Sequence, residues 1–219
     1  MAETTISKTL LRRLPLYLQY MKQASRRGLT YVSATEMAAA LGVHHTQVRK
    51  DLDSVGVAGT PKIGHPLAAS ITAIESFLGW NDQSSAFLIG VGNLGRALLG
   101  YKHFGQAGLK ILAAFDNDGR KANTTVCGIE VFPITKFVNL VQRMHINIAI
   151  LTTPPSAAPE INKLLIDAGV KAVWNFVPAT LSLPPHIIVE NADLFSSFAI
   201  LSHKLKERIE LSLSESTLI

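Results

Sequence analysis

One stretch constrains this chain more than any other. Residues 86–101 read AFLIGVGNLGRALLGY. A short apolar run, Ser84–Ile89, meets glycines at 90, 92 and 95, and the text then becomes helical over Arg96–Phe104. Strand, G-x-G-x-x-G, helix is the opening of an α/β unit in which each glycine has a task. The first allows a tight turn, the second lets backbone approach a pyrophosphate, and the third lets helix pack on strand. Backbone N–H groups at the helix start would face the phosphates. The next apolar run, LKILAAF, ends at Asp116, 21 residues beyond Gly95. That is the place for an acid that holds ribose hydroxyls, and with no arginine directly after it the pattern favours NAD over NADP.

The alternation continues. IEVFPI (129–134), INIAILTT (146–153), KAVWNF (171–176) and IIVEN (187–191) read as strands, with helical TKFVNLVQRM and SAAPEINKLLIDAG between them. Near-continuous apolar strands alternating with helices imply a parallel sheet covered on both faces. In such a sheet the loops at Thr152-Thr153-Pro154-Pro155 and Asn175-Phe176-Val177-Pro178 would line the cofactor crevice.

The first third of the chain follows a different rule. Its apolar residues recur at helical spacing: Leu10, Leu11, Leu14, Leu18 and Met21, with Pro15 expected to kink this helix or mark its start. SATEMAAALGV follows, with Ser33 and Glu36 as a capping box and Gly42 as the stop. HHTQVRKDLDSVG then turns Val48 and Leu52 inward and leaves His44, His45, Thr46, Gln47, Arg49, Lys50 and Asp53 outside. Helix, glycine turn, helix with a polar and basic face reads as helix-turn-helix: Thr and Gln can read base edges, Arg and Lys can hold guanine or phosphate. A helical hairpin with a solvated polar face has the same pattern. The segment GTPKIGHP, carrying Lys62, fits a β-hairpin wing or an ordinary loop.

Charge agrees with this division. Residues 1–80 carry nine Lys and Arg against five acids, a net of +4, which leaves +1 of the total +5 for the remainder. A basic third on a near-neutral body points to a polyanion partner. A single cysteine, Cys127, excludes an intrachain disulfide and is expected buried or half-buried. Adjacent histidines on a helix diverge by about 100°, so His44 and His45 do not suggest a metal site. No apolar run reaches a membrane span and the first residues lack a signal-peptide core, so a cytoplasmic protein without a membrane partner is expected. The domains expected are 1–80 for DNA, 81–191 for the dinucleotide, and 192–219 for a terminal helix. That last helix places Leu194, Phe198, Leu201, Leu205 and Ile209 on one stripe with Phe195 beside it, which fits packing on its own domain or, better, on a second subunit.

An NAD-dependent oxidoreductase would need an acid/base group and a substrate domain. None of the seven histidines sits in a recognisable constellation, and about 135 residues leave little room for such a domain. The combination of TQVRKDL, GVGNLGRALLGYKHFG, AAFDND, NFVP and ADLF resembles the Rex family of redox-sensing transcriptional repressors over nearly the whole chain. The resemblance implies an α/β protein: an N-terminal winged helix-turn-helix domain, a Rossmann-type parallel sheet binding NAD(H), and a homodimer with domain-swapped C-terminal helices. It implies binding to an inverted-repeat double-stranded operator when NADH is scarce, with NADH rather than NAD+ releasing the DNA. Arg49 and Lys50 then resemble recognition-helix contacts. Gly90, Val91, Gly92, Asn93, Leu94 and Gly95 resemble the pyrophosphate loop, and Asp116 the ribose acid. Tyr101 matches a tyrosine near the nicotinamide. Arg13 and Asp193 match a polar pair that couples cofactor state to domain arrangement. The chain departs from the family at His44-His45 and in its wing, where Lys62 is the one firm cation. The alternatives are a small oxidoreductase and a DNA-binding regulator whose ligand is another nucleotide, such as a coenzyme A derivative.

Overall fold

The computed structural model describes residues 6–192 and 194–216, the side chains of 194 and 211–216 excepted. The chain forms two compact units. One is Met1–Gln83 with His103–Leu109, and the other is Ser84–Lys102 with Lys110–Ile219.

The first unit is helical. Its elements are α1 (Lys8–Arg26), β1 (Tyr31–Val32), α2 (Ala34–Leu41), α3 (His45–Ser54), β2 (His65–Pro66) and α4 (Leu67–Phe77). Helix α1 starts at the Ser7 cap and runs on through Pro15, so the proline does not mark its start. The helical stripe Leu10, Leu14, Leu18 and Met21 is buried, while Leu11 turns outward at 39% exposure. Against that stripe pack Met37 of α2, Val48 and Leu52 of α3, and Leu67 and Ile74 of α4. Each of these fully buried side chains contributes roughly 1.5–3 kcal/mol by leaving water. Ser33 caps α2 by accepting from the Thr35 N–H at 3.2 Å, and Gly42 ends it at φ 64. The capping box is half formed, because no bond returns from Glu36 among the described residues. Between α3 and β2 the chain makes a minimal hairpin: Thr60 and Gly64 exchange backbone bonds at 2.8 and 2.9 Å, with Lys62 near its tip at φ 65. Strand β2 then pairs antiparallel with β1, Val32 opposite His65. Of the two readings of GTPKIGHP, the hairpin is the one that forms.

The second unit is a seven-stranded sheet in the order β5-β6-β4-β3-β7-β8-β9. Its strands are β3 (Ser84–Ile89), β4 (Leu109–Asp116), β5 (Thr124–Val126), β6 (Ile129–Pro133), β7 (Ile148–Leu151), β8 (Ala172–Asn175) and β9 (Ile188–Asn191). Helices α5 (Asn93–Leu99), α6 (Phe137–Met144) and α7 (Ala158–Ala168) connect them, and α8 (Leu194–Ser216) follows. Phe87, Phe115, Phe137, Ala149, Leu151 and Leu165 form the centre of its core. Three expectations are corrected. The sheet is parallel except at one edge, where β5, not anticipated, runs antiparallel to β6. Helix α5 stops at Leu99 rather than Phe104, and a 3-10 turn takes Lys102–Ala107, because Gly100 offers no side chain to hold another helical turn. Cys127 is exposed, not buried. With Gly128 it forms the two-residue turn joining β5 to β6, both at positive φ (51° and 81°), which points its side chain away from the core.

Candidate functional site

Strand β3 sits between β4 and β7, so the chain leaves β3 on one side and returns on the other. Ligands of open α/β sheets settle beyond the strand ends at such a reversal. Here the two loops are locked together. Gly90, at φ 98, lies so near Thr152 that a Cβ would meet its backbone carbon at 2.8 Å. The Thr152 hydroxyl donates to the Gly90 carbonyl at 2.6 Å. Gly95 packs directly on the Gly90 carbonyl, again with no room for a Cβ. The tight turn and the close packing of helix on strand implied by the glycine spacing are both present, and α5 begins beside them at Asn93 and Leu94 with its first N–H groups unused within the helix.

A cavity of about 540 Å3 opens there. Of the residues anticipated, Gly90, Gly92, Asp116, Thr152 and Pro154 line it. Sequence reasoning missed Asn117, Lys121 and Glu160 on its wall. Asp116 is 5% exposed and works inward as well as outward. Its Oδ2 accepts from the buried Val91 N–H at 2.7 Å and from Lys121 Nζ at 3.0 Å, while Oδ1 accepts from the Asp118 N–H at 2.9 Å. Burial alone would raise the pKa of Asp116, but these bonds outweigh it and hold the carboxyl below its ordinary value. A carboxylate has about four acceptor positions, so roughly one remains for a ribose hydroxyl. The residues fit a dinucleotide: a backbone cradle without side chains, then an ionised acid one strand away.

Phe176 and Pro178 line a second hollow of about 380 Å3, together with Phe195 at the start of α8. Its loop is pinned by Asn175, which is 1% exposed. Asn175 Nδ2 donates to Asn191 Oδ1 at 2.8 Å and Oδ1 accepts from the Val177 N–H at 3.0 Å. Tyr101 follows α5 and is 53% exposed, lining neither hollow. Asp193 lies outside the described residues.

In the first unit, α3 presents only part of its expected outer face. His44, Thr46, Arg49 and Lys50 are exposed, and His45 and Gln47 are half-buried. His44 also caps α3, its Nδ1 accepting from the Thr46 N–H at 3.4 Å and lying 2.8 Å from Thr46 Oγ1. A hollow of about 580 Å3 runs between Arg49 and Asp53 of α3 and the hairpin that carries Lys62. What the sequence did not disclose is the role of Asp51. This buried acid accepts from Arg13 Nε and Nη2 at 2.6 and 2.9 Å, from the Tyr17 hydroxyl at 2.8 Å, and from Gln47 Nε2 at 2.7 Å. Arg13, expected to pair with Asp193, is thus engaged by Asp51. Burial raises the Asp51 pKa and the bonds from Arg13, Tyr17 and Gln47 more than reverse this. Burial and the bond to Asp51 push the Tyr17 hydroxyl up. The signal was present: an acid beside Leu52, three residues after Val48, sits on the apolar face of its helix.

Known proteins match both units. A family described as "Putative DNA-binding protein N-terminus" matches residues 5–53, and "CoA binding domain" matches 81–179. A redox-sensing transcriptional repressor Rex from Treponema denticola is 44% identical over 190 residues, 87% of this chain and 90% of the relative. The chain belongs to the Rex family. A second Rex repressor, from Bacteroides thetaiotaomicron, is 37% identical over 205 residues, 92% of both chains. Among solved structures, the Rex-family repressor RSP in complex with NAD+ and operator DNA aligns at a TM-score of 0.85 with 29% identity. That alignment covers 98% of this chain and 99% of RSP. RSP in complex with NADH gives the same TM-score at 28% identity, covering 96% and 99%. The Rex likeness therefore spans the helix-turn-helix and the cofactor sheet together. No helix of the described residues is long and apolar enough to cross a membrane. Among the described residues no group of three or more His, Cys, Asp or Glu could hold a metal.

Proposed function

We propose that this chain is a DNA-binding transcriptional repressor that reads the balance of NADH and NAD+. It holds an inverted-repeat operator when NADH is scarce and leaves it when NADH binds. One observation carries the reading: a glycine-lined cavity backed by an ionised acid occurs in the same Rex-family chain as a basic helix-turn-helix. The Rex relatives are named as repressors, and the reading is accordingly regulatory rather than catalytic.

In this reading the N–H groups at the start of α5, after Gly92 and at Asn93 and Leu94, receive the pyrophosphate, while Gly90, Val91 and Gly95 shape the loop and Asp116 takes a ribose hydroxyl. Thr152 and Pro154 shape the floor, with Tyr101, Phe176 and Pro178 toward the nicotinamide. The bound nicotinamide supplies a signal, its redox state, rather than a reaction. His44, His45, Thr46, Gln47, Arg49 and Lys50 face the major groove, with Lys62 on the wing. Arg13, Tyr101 and Asp193 couple the two. The protein acts in the cytoplasm as a homodimer. Helix α8 supports that assembly, since Phe198, Leu201 and Leu205 are 57–65% exposed in the single chain and would be covered by a second copy. Release requires NADH to favour the DNA-incompatible arrangement over the compatible one, typically by about 1–3 kcal/mol.

The test is selection of duplexes from a random pool, followed by titration of the winning site with NADH and NAD+. An inverted repeat released by NADH alone is expected. No enriched sequence would remove the repressor reading, and equal release by both cofactors would remove the sensor. The family description "CoA binding domain" for residues 81–179 keeps a second ligand in view. Titrating coenzyme A and NADH against Trp174 fluorescence separates the two, and NADH is expected to bind the tighter.

A further inference from the structure

We propose that Gln47 reads an adenine in each operator half-site, its carboxamide locked in one orientation by Asp51. The inference rests on the repressor reading above. Gln47 Nε2 donates to Asp51 Oδ1 at 2.7 Å across one turn of α3. Asp51 is itself immobilised by the bidentate Arg13 guanidinium and by the Tyr17 hydroxyl, and its side chain is 5% exposed. An ionised carboxylate only accepts hydrogen bonds. Turning the Gln47 amide over would press Oε1 against a carboxylate oxygen and leave a buried acceptor without its donor. The nitrogen therefore faces Asp51.

What remains for a partner is the amide oxygen and the second N–H, one acceptor beside one donor. That pair complements the N6 amine and N7 of adenine in the major groove. Guanine shows two acceptors at the same edge, so Oε1 would meet O6. A mobile glutamine could turn to suit its surroundings, and this one is held. Its position suits the task. Gln47 lies in the first turn of α3, half-buried, beside exposed Thr46 and one turn before exposed Lys50. First-turn residues of a recognition helix are those that meet base edges. Arg49 and Lys50, as donors without acceptors, suit guanine or phosphate. The helix thus divides its work, with cations for guanine and backbone and the pinned amide for adenine.

Duplex selection with the full chain and with Gln47→Ala tests this, with thermal unfolding of both proteins as the control for fold. The parent is expected to enrich an A·T pair at one position in each half-site. Gln47→Ala is expected to keep the rest of the site, lose the preference at that pair, and bind the parent operator about tenfold more weakly. On an operator altered at that pair, parent and variant should bind alike. Three results would overturn the proposal: a variant that still selects the adenine, a variant with uniformly weaker binding and unchanged base preferences, or a lost preference that falls on a G·C pair. A parent that enriches no sequence at all would instead strike the repressor reading, and this inference with it.

Discussion

Two buried aspartates organise the two units, and they are held in different ways. Asp116 in the sheet and Asp51 in the helical unit have side chains equally withdrawn, each 5% exposed, and both stay ionised against the pull of burial. Asp116 takes two of its three bonds from backbone, the N–H groups of Val91 and Asp118. Asp51 takes all four side-chain bonds from other side chains: two from Arg13 and one each from Tyr17 and Gln47. Backbone donors stay in place as long as the loop does. Side-chain donors can be withdrawn one at a time by a rotamer change or a competing partner. A cofactor cradle benefits from the first arrangement, because its shape must already exist when the ligand arrives. The second ties α1 to the helix whose outer face is proposed to meet DNA, through bonds that each depend on a side-chain rotamer.

The largest effect should come from breaking the backbone arrangement at its root. Gly90→Ala places a Cβ 2.8 Å from the Thr152 backbone at a φ of 98° that alanine does not adopt. Strain and overlap together should cost about 3 kcal/mol or more, and the shift of the loop would carry the Val91 N–H away from Asp116. NADH titration against Trp174 fluorescence should show binding weakened at least a hundredfold. Full NADH affinity in this variant would mean that the loop does not depend on its contact with Thr152.

Next in size is the side-chain arrangement. Arg13→Met removes both guanidinium bonds and leaves Asp51 with Tyr17 and Gln47. Removing one partner of a buried pair costs about 3–5 kcal/mol. Arg13 is 20% exposed, so water recovers part of this and a loss of about 2–4 kcal/mol is expected. Trp80 packs against the helical core, so urea unfolding followed by its fluorescence in a Trp174→Phe background reads the first unit. A loss under 1 kcal/mol would show that Asp51 is satisfied without Arg13.

That difference also marks what could be read from the sequence. The glycine loop, Asp116 and six of the seven strands of the larger sheet were legible because each is a local pattern. Three glycines at fixed offsets, an acid at a strand end and an apolar run need no knowledge of the rest of the chain. Strand β5 was not, being three residues, Thr124–Val126, whose reason to extend is the edge of β6. The end of α5 at Leu99 was missed because apolar spacing continues past Gly100. Asp51 was hidden for a deeper reason. Periodicity tells which face is inward but not which donor will come from another helix, and Arg13 lies 38 residues away. Lys121 was hidden likewise, as a loop lysine with nothing to mark it until the loop is folded.

Acid should expose both aspartates. Each has a folded pKa below its ordinary value, so each contributes stability above about pH 4, and that contribution is lost as pH falls from there through the lowered folded value. Urea midpoints are expected to hold from pH 7 to 5 and to fall between pH 4 and 2, for Trp80 and Trp174 alike. Asp116→Asn should flatten the fall seen by Trp174 and leave the fall seen by Trp80. A pH profile indifferent to this substitution would place the acid sensitivity elsewhere.

The smallest effect is the sharpest test of the comparison. Lys121→Met takes the cation from Asp116 just as Arg13→Met takes it from Asp51. Lys121 is 30% exposed and supplies one bond of three, and the two backbone donors remain with the carboxylate. A partly exposed pair of this kind is worth about 1 kcal/mol or less. The two substitutions are chemically matched, long cation to methionine beside an aspartate of equal burial, so the ratio of their costs isolates the nature of the remaining donors. Urea unfolding read at Trp174 should show less than about 1 kcal/mol for Lys121→Met, against two to four times that or more for Arg13→Met read at Trp80. Equal costs would mean that charge alone sustains both aspartates and that backbone donation adds nothing to Asp116. The glycine loop would then be no more firmly built than the network that holds α3, and a preformed cradle could no longer be explained by its backbone bonds.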